Sequence, residues 1–147
     1  MTTTTDPSTN AHAKLTLVHL ATVSVLPGVR HRIDNGPFGT MVIPSIAEGR
    51  WEGERIRGHV VGAGADWARR GPSGVMLLDV RQTVETDDGA VIYVSYNGRF
   101  DPERQTYTIA PTFETGDERY AWLNSVQAVA RGRYVDGRMR HEVYEVR

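Results

Sequence analysis

The sequence contains no cysteine, no long apolar run and no excess of charge of either sign. The lack of cysteine excludes disulfides, thiolate metal sites and cysteine nucleophiles. No apolar stretch approaches the roughly 20 residues that a membrane-spanning helix requires. Residues 1–13 also lack the basic start and apolar centre of a secretory signal. We therefore expect a cytoplasmic protein that does not contact a membrane.

The charges are nearly balanced, with 17 lysine and arginine residues against 18 aspartate and glutamate residues in a chain of 147. This balance gives no electrostatic reason to expect a nucleic-acid partner. The length suits a single domain with a sizeable core. We expect a disordered tail over residues 1–13, because this polar segment has almost nothing to bury, and one domain over residues 14–147.

Alternation with a two-residue period recurs along the chain, whereas long helical periodicity does not. Turn signals separate the strand-like segments at intervals of roughly 8–12 residues, which is typical of an antiparallel sandwich or barrel. We predict an all-β fold with a single antiparallel β-barrel, because closure removes the edges that an open sheet must protect. Only residues 116–124 predict a short helix, with Asp117 as its cap.

The segment VRQTVETDDGAVIYVSY, residues 80–96, predicts a β-hairpin that turns on the two residues Asp88 and Gly89. This register pairs Arg81 with Tyr96 and puts Asp79 on the same face. That face is either solvated, with Asp79 and Arg81 as a surface pair, or it lines a barrel cavity. In a cavity, Arg81 and Tyr96 would hold a ligand oxygen. A one-residue error in register would exchange the faces.

A second hairpin turns at Asp136 and Gly137, and its pairing separates arginines from small residues. The arginine face must be solvated or lie at an interface. The opposite face carries His141 and Glu145 together with three small residues, Ala128, Ala130 and Gly132. These small residues either leave space for a ligand, bordered by the two titratable groups, or admit a close-packed neighbouring element.

Four short motifs stand out by their order and spacing. They are ADW at residues 65–67, DxR at residues 79–81, TDDG at residues 86–89 and RYxWLN at residues 119–124. In these motifs, and over roughly residues 15–146 around them, the chain resembles the domain of unknown function 3237 family. The resemblance implies a calycin-like barrel that often self-associates, here as a homodimer. It also implies kinship with cofactor-independent enzymes of aromatic or polyketide secondary metabolism that catalyse cyclisation or isomerisation.

Asp66 and Trp67 follow a flexible run of glycine and alanine, residues 62–65. Asp66 is either a general acid or base at the barrel rim, with the indole as a stacking wall, or a turn carboxylate that bonds its own backbone. Tyr120 and Trp122 either plug one barrel end or wall the ligand site. Asn124 either caps the short helix or hydrogen-bonds a ligand.

The five histidines form no convincing zinc motif, and no Gly-x-Ser-x-Gly elbow provides a serine nucleophile. We expect neither a metal nor an organic cofactor. The leading hypothesis is a cofactor-independent cyclase or isomerase that acts on an aromatic or polyketide-like molecule bound in the barrel.

In this hypothesis Arg81 and Tyr96 polarise an enolate or phenolate oxygen. Asp66 or His141 moves the proton. The predicted substrate-binding residues are Trp67, Asp79, Tyr120, Trp122, Asn124 and Glu145. Two other classes stay open: a non-catalytic carrier or sensor that uses the same cavity, and a structural dimer module.

Overall fold

The computed structural model describes residues 14–147, so the tail predicted over residues 1–13 lies outside the described residues. The strands are β1 (Leu17–Gly36), β2 (Gly39–Glu52), β3 (Arg57–Asp66), β4 (Ala68–Arg70), β5 (Met76–Thr86), β6 (Val91–Asp101), β7 (Thr106–Ile109), β8 (Thr112–Glu114), β9 (Ala128–Val135) and β10 (Arg138–Val146). One 3₁₀ helix, Glu118–Ser125, lies between β8 and β9. Within residues 14–147 there is no helix of the length and apolarity that crossing a membrane requires.

The strand pairings close the sheet into an antiparallel barrel. β1 pairs with β2, which pairs with both β3 and β4, and these two pair with β5. β5 pairs with β6, β6 with β7 and β8, β7 with β9, β9 with β10, and β10 with β1. The predicted barrel with one short helix is confirmed. Closure pairs the strands that would otherwise be exposed edges.

Strand β1 continues through Pro27 and Gly28, a pair of residues that commonly ends a strand. Its pairing with β2 shifts between Leu26 and Pro27, and again between Pro27 and Arg30. Such bulges let an antiparallel strand accommodate a proline, which cannot donate to the ladder. The β1–β2 hairpin therefore extends beyond the core and carries Arg30 and Arg32 with it.

The register of the β5–β6 hairpin differs from the predicted register by one residue. Arg81 pairs with Ser95, and Val80 pairs with Tyr96. Since side chains alternate between the two faces of a strand, this shift puts Tyr96 inside the barrel and Arg81 outside. The predicted pairing of Arg81 with Tyr96 is wrong.

The cause of the shift is the side chain of Thr86. Its hydroxyl accepts a hydrogen bond from the Ala90 N–H at 2.7 Å, and the Thr86 N–H donates to the Ala90 carbonyl at 2.8 Å. Asp87 therefore joins Asp88 and Gly89 in the loop, and Gly89 takes the positive φ of 92° that glycine tolerates.

The β9–β10 hairpin has the predicted register, with Val135 paired to Arg138. Asp136 and Gly137 have φ angles of 50° and 77°, as a type I′ turn requires. The face that carries His141 points into the barrel, and the arginine face points outward.

The apolar core fills the half of the barrel that lies nearer the 3₁₀ helix. Its largest fully buried apolar side chains are Trp51, Leu20, Ile56, Ile92, Ile109 and Leu123. Leu123 anchors the helix, and Asp117 caps it as predicted by accepting a hydrogen bond from the Arg119 N–H at 3.0 Å. The helix thereby closes one end of the barrel.

Candidate active site

A cavity of about 240 Å³ opens at the barrel end opposite the 3₁₀ helix. Its apolar wall consists of Pro27, Val42, Pro44, Ala68, Met76, Leu78, Phe100, Tyr134 and Met139. Its polar groups are Asp66, Tyr107, Arg30, Arg32 and Arg70. A smaller hollow of about 20 Å³ shares Asp66 with the cavity and reaches Tyr96. An apolar pocket with few polar groups is the usual form of a small-molecule site.

Asp66, the last residue of β3, supplies the carboxyl group of the cavity wall. The residue is only 9% exposed, and its Oδ1 accepts a hydrogen bond from the backbone N–H of Asp79 at 2.9 Å. Burial disfavours the charged form and raises the pKa of Asp66 to about 6, although the Asp79 N–H acts in the opposite direction. A carboxyl group with this pKa can accept and return a proton near neutral pH. The hydrogen bond goes to a neighbouring strand, not to the Asp66 turn.

Tyr107 and His141 form a buried pair at the cavity wall. The Tyr107 hydroxyl lies 2.9 Å from Nδ1 of His141. The His141 residue is only 3% exposed. Burial lowers the pKa of His141 to about 4, so the imidazole is neutral near neutral pH. Its Nε2 is buried and has no hydrogen-bond partner among residues 14–147. Tyr107 lines the cavity, whereas His141 lies behind it and is not a lining residue.

Tyr96 is buried close to both Asp66 and His141. It lines the smaller hollow with Asp66, and its ring centroid lies 6.2 Å from that of His141. Burial raises the pKa of Tyr96, and the proximity of Tyr107 and Asp66 raises it further. Tyr96 therefore stays a neutral phenol.

The structure thus places Tyr96 close to both Asp66 and His141, three of the four residues that the sequence analysis proposed as catalytic. It adds Tyr107, which sequence analysis missed. The signal for Tyr107 was its place in a short alternating strand, but its partner His141 is 34 residues away in the chain. No local pattern reports such a contact.

Arg81, the central residue of the sequence hypothesis, lies outside the barrel. Its side chain is 53% exposed, its Nη2 is 3.6 Å from Asp79, and its guanidinium lies 5.3 Å from the Trp67 ring centroid. The surface-pair interpretation of Asp79 and Arg81 is therefore correct. The predicted cavity positions of Arg81, Asp79 and Trp67 are wrong. Asp79 and Arg81 alternate with the inward side chains of β5, and Trp67 packs against Arg81 on the outer surface.

Tyr120 and Asn124 also lie away from the cavity, at the closed barrel end. Tyr120 donates a hydrogen bond to Oδ1 of Asp88 at 2.8 Å and ties the helix to the β5–β6 loop. Asn124 accepts from the Thr115 N–H at 2.8 Å and donates to the Thr115 carbonyl at 2.9 Å. Their observed contacts hold the helix in place, so their predicted cavity positions are wrong.

Trp122 and Glu145 occupy the same closed end. The guanidinium of Arg55 stacks 4.4 Å from the Trp122 ring centroid and also pairs with Glu145. Arg147 lies 3.0 Å from the same carboxylate. The predicted place of Glu145 beside the ligand space is wrong, because that space lies at the other end of the barrel.

Comparison with known proteins agrees with this architecture. A family model described as "Protein of unknown function (DUF3237)" matches residues 15–146. A β-barrel-like protein from Acinetobacter baumannii AYE, solved by crystallography, superposes with a TM-score of 0.83 at 28% identity, covering 92% of this chain and 98% of that one.

Two sequence relatives extend the comparison. A UPF0311 protein of Rhodopseudomonas palustris is 37% identical over 106 residues, which are 60% of this chain and 69% of that protein. The hydroalkoxylation enzyme phnH of Penicillium herquei is 27% identical over 112 residues, which are 76% of this chain and 70% of that enzyme.

Proposed function

This chain belongs to the DUF3237 family of proteins of unknown function. From its family membership and its cavity, we propose that it is a small-molecule enzyme that works without a cofactor. The proposed reaction is ring closure by addition of a phenolic O–H across a carbon–carbon double bond of an aromatic or polyketide-like substrate. One observation carries the proposal: a buried carboxyl group, Asp66, with a pKa of about 6 in the wall of an apolar cavity.

The reaction needs one group that moves a proton twice. The Asp66 carboxylate accepts the phenolic proton, and the phenolate oxygen attacks the β-carbon of a double bond conjugated to a carbonyl group. The new C–O bond forms as the π electrons move to the carbonyl oxygen and give an enolate. Asp66 then returns the proton to the α-carbon. The product is an isomer of the substrate, so no oxidant, reductant or second substrate is consumed.

Tyr107 is suited to stabilise the enolate. When Nδ1 of His141 carries the imidazole proton, it donates to the Tyr107 oxygen and leaves the Tyr107 hydroxyl proton free to bond the developing charge. A donor placed in advance in a water-poor site is an effective way to stabilise such a charge. His141 is then a positioning residue for Tyr107.

The kinship with a hydroalkoxylation enzyme supports this reaction class. Hydroalkoxylation is the addition of O–H across a double bond, and the relative that bears this name aligns with 76% of the chain.

The test uses chalcones with a hydroxyl group ortho to the carbonyl, together with smaller ortho-hydroxyaryl enones. These compounds close to flavanone-type rings and are followed by absorbance. We expect the protein to accelerate closure, with kcat/KM rising with pH to a plateau above the Asp66 pKa of about 6, because the first step needs the carboxylate. Asp66→Asn should lower kcat about 100-fold or more, the usual contribution of a general acid or base.

The matched control is Glu85→Gln, which changes an exposed carboxylate on the outer face of β5 to an amide. This variant should keep the parent rate. If no compound closes faster with protein than in buffer, or if Asp66→Asn retains the parent kcat, the proposed enzyme activity is wrong. Tight binding of these compounds without turnover would instead identify a carrier or sensor.

A further inference from the structure

We propose that the natural substrates of this site carry a carboxylate, which arginines at the cavity mouth bind while the apolar body of the substrate enters the barrel. The inference rests on the proposed function, because it names the substrate class of the same cavity. The mouth arginines are Arg30, Arg32 and Arg70. They were not among the residues that the sequence singled out.

Strand geometry brings the three mouth arginines to one side of the opening. Arg30 and Arg32 are two residues apart on the extended part of β1, so both face the cavity. Arg70 lies on β4, two strands away, and reaches the same mouth through the pairing of β4 with β2. The bulges at Pro27 are what carry the β1 arginines over the opening.

The charges of the mouth arginines are only partly neutralised. Arg32 pairs with Asp34 at 2.7 Å. Arg30 and Arg70 form neither an ion pair nor a side-chain hydrogen bond with any group in residues 14–147. Asp66, the acidic group of the cavity wall, is bonded to a backbone N–H deeper inside.

Some arginines elsewhere in the fold are neutralised by carboxylates. Arg50 bonds both Glu52 and Asp87, and Arg138 bonds Glu48, at 2.6–2.8 Å. Outward arginines such as Arg133 and Arg140 have no ion-pair partner among residues 14–147 either, but they face bulk solvent. The mouth arginines differ because they border an apolar wall.

That position favours an anionic ligand for two physical reasons. The guanidinium group offers a planar fork of donors that matches a carboxylate. The low-dielectric wall beside it strengthens the attraction relative to open solvent. A carboxylate held at the mouth also keeps its charge away from Asp66, so the apolar part of the substrate meets Asp66 and Tyr107.

The experiment compares naphthoate with naphthamide, two ligands that share a ring system and differ in charge. Calorimetric titrations at neutral pH are made with the parent, with Arg30→Gln/Arg70→Gln, and with the control Arg133→Gln/Arg140→Gln, which removes the same charge from the outer face. We expect the parent to bind naphthoate about tenfold more tightly than naphthamide, equivalent to about 1.4 kcal/mol. The mouth variant should lose this preference through weaker naphthoate binding alone. Added salt should weaken naphthoate binding and leave naphthamide binding unchanged.

Equal binding of the two compounds by the parent would overturn the inference, and so would a preference that survives in the mouth variant. A control variant that loses as much affinity as the mouth variant would overturn it too, because bulk charge would then explain the effect. Failure of both compounds to bind would count against the inference, whereas the proposed function is judged separately by the cyclisation assay with Asp66→Asn.

Discussion

Replacing Asp66 by asparagine removes a buried ionisable group while keeping its shape and its acceptor for the Asp79 N–H. Burial raises the pKa of Asp66 from its ordinary value of 3.8 to about 6. Between these two values the native protein retains a proton that the unfolded chain has released. The contribution of Asp66 to the free energy of unfolding therefore falls as pH rises through this window and is constant above it. At about 1.4 kcal/mol per pH unit, the loss reaches about 3 kcal/mol.

Asp66→Asn should be free of this loss. Below about pH 4 the carboxyl group is protonated in both states, and parent and variant should have similar free energies of unfolding. Above about pH 6 the variant should be more stable than the parent by up to about 3 kcal/mol. Taking the difference between the two proteins cancels the contributions of all other titrating groups that the substitution leaves unchanged.

His141 should change the free energy of unfolding with pH in the direction opposite to Asp66. Burial lowers its pKa from 6.5 to about 4, so protonation of the unfolded chain makes stability fall as pH decreases through that window, by about 3 kcal/mol. The two slopes oppose each other in the parent between about pH 4 and pH 6. Asp66→Asn should uncover the His141 slope, and the variant alone should become steeply less stable as the solution is acidified.

Urea unfolding followed by tryptophan fluorescence at several pH values measures these free energies. Glu85→Gln serves again as the control and should follow the parent at every pH. A difference between Asp66→Asn and the parent that does not vary with pH would refute the reasoning. If Asp66→Asn is instead less stable than the parent at neutral pH, the native state favours the charged form of Asp66. An ion pair between Asp66 and a mouth arginine would have this effect.

Two further predictions follow from side-chain positions. Arg81→Ala should bind naphthoate with the parent's affinity and change the free energy of unfolding by at most about 1 kcal/mol, because the side chain is 53% exposed and its contacts with Asp79 and the Trp67 ring lie at the surface. Weaker binding would contradict its assigned place outside the barrel. Gly132→Ala should lower the free energy of unfolding by about 1–3 kcal/mol, since a Cβ there would overlap the Arg140 carbonyl oxygen and crowd the Tyr107 hydroxyl. Its control is Gly116→Ala, where a Cβ meets nothing within 4 Å, and equal melting temperatures for the two variants would refute the packing argument.

The two hairpins illustrate how far local sequence can predict pairing. At Asp136 and Gly137 the backbone preferences of two residues set the turn, so the β9–β10 register follows from the sequence. At Asp88 and Gly89 the same dipeptide lies in a longer loop, because the Thr86 hydroxyl bonds the Ala90 N–H. A competing side-chain contact moved every residue of β6 by one position relative to β5. The predicted homodimer depends on surfaces that one chain does not test, and it stays a prediction.

The sequence alone determined the class of structure and the family, because two-residue alternation, turn residues and short ordered motifs are local properties of the chain. It also determined that Asp66, Tyr96 and His141 are candidates for chemistry. Only the tertiary structure decided which side chains share the cavity. Closure of the barrel brought Tyr107 to His141 and three arginines to one mouth, whereas the β5–β6 register turned Arg81 to the solvent. Those outcomes depend on register and on contacts between distant strands, which no local pattern encodes.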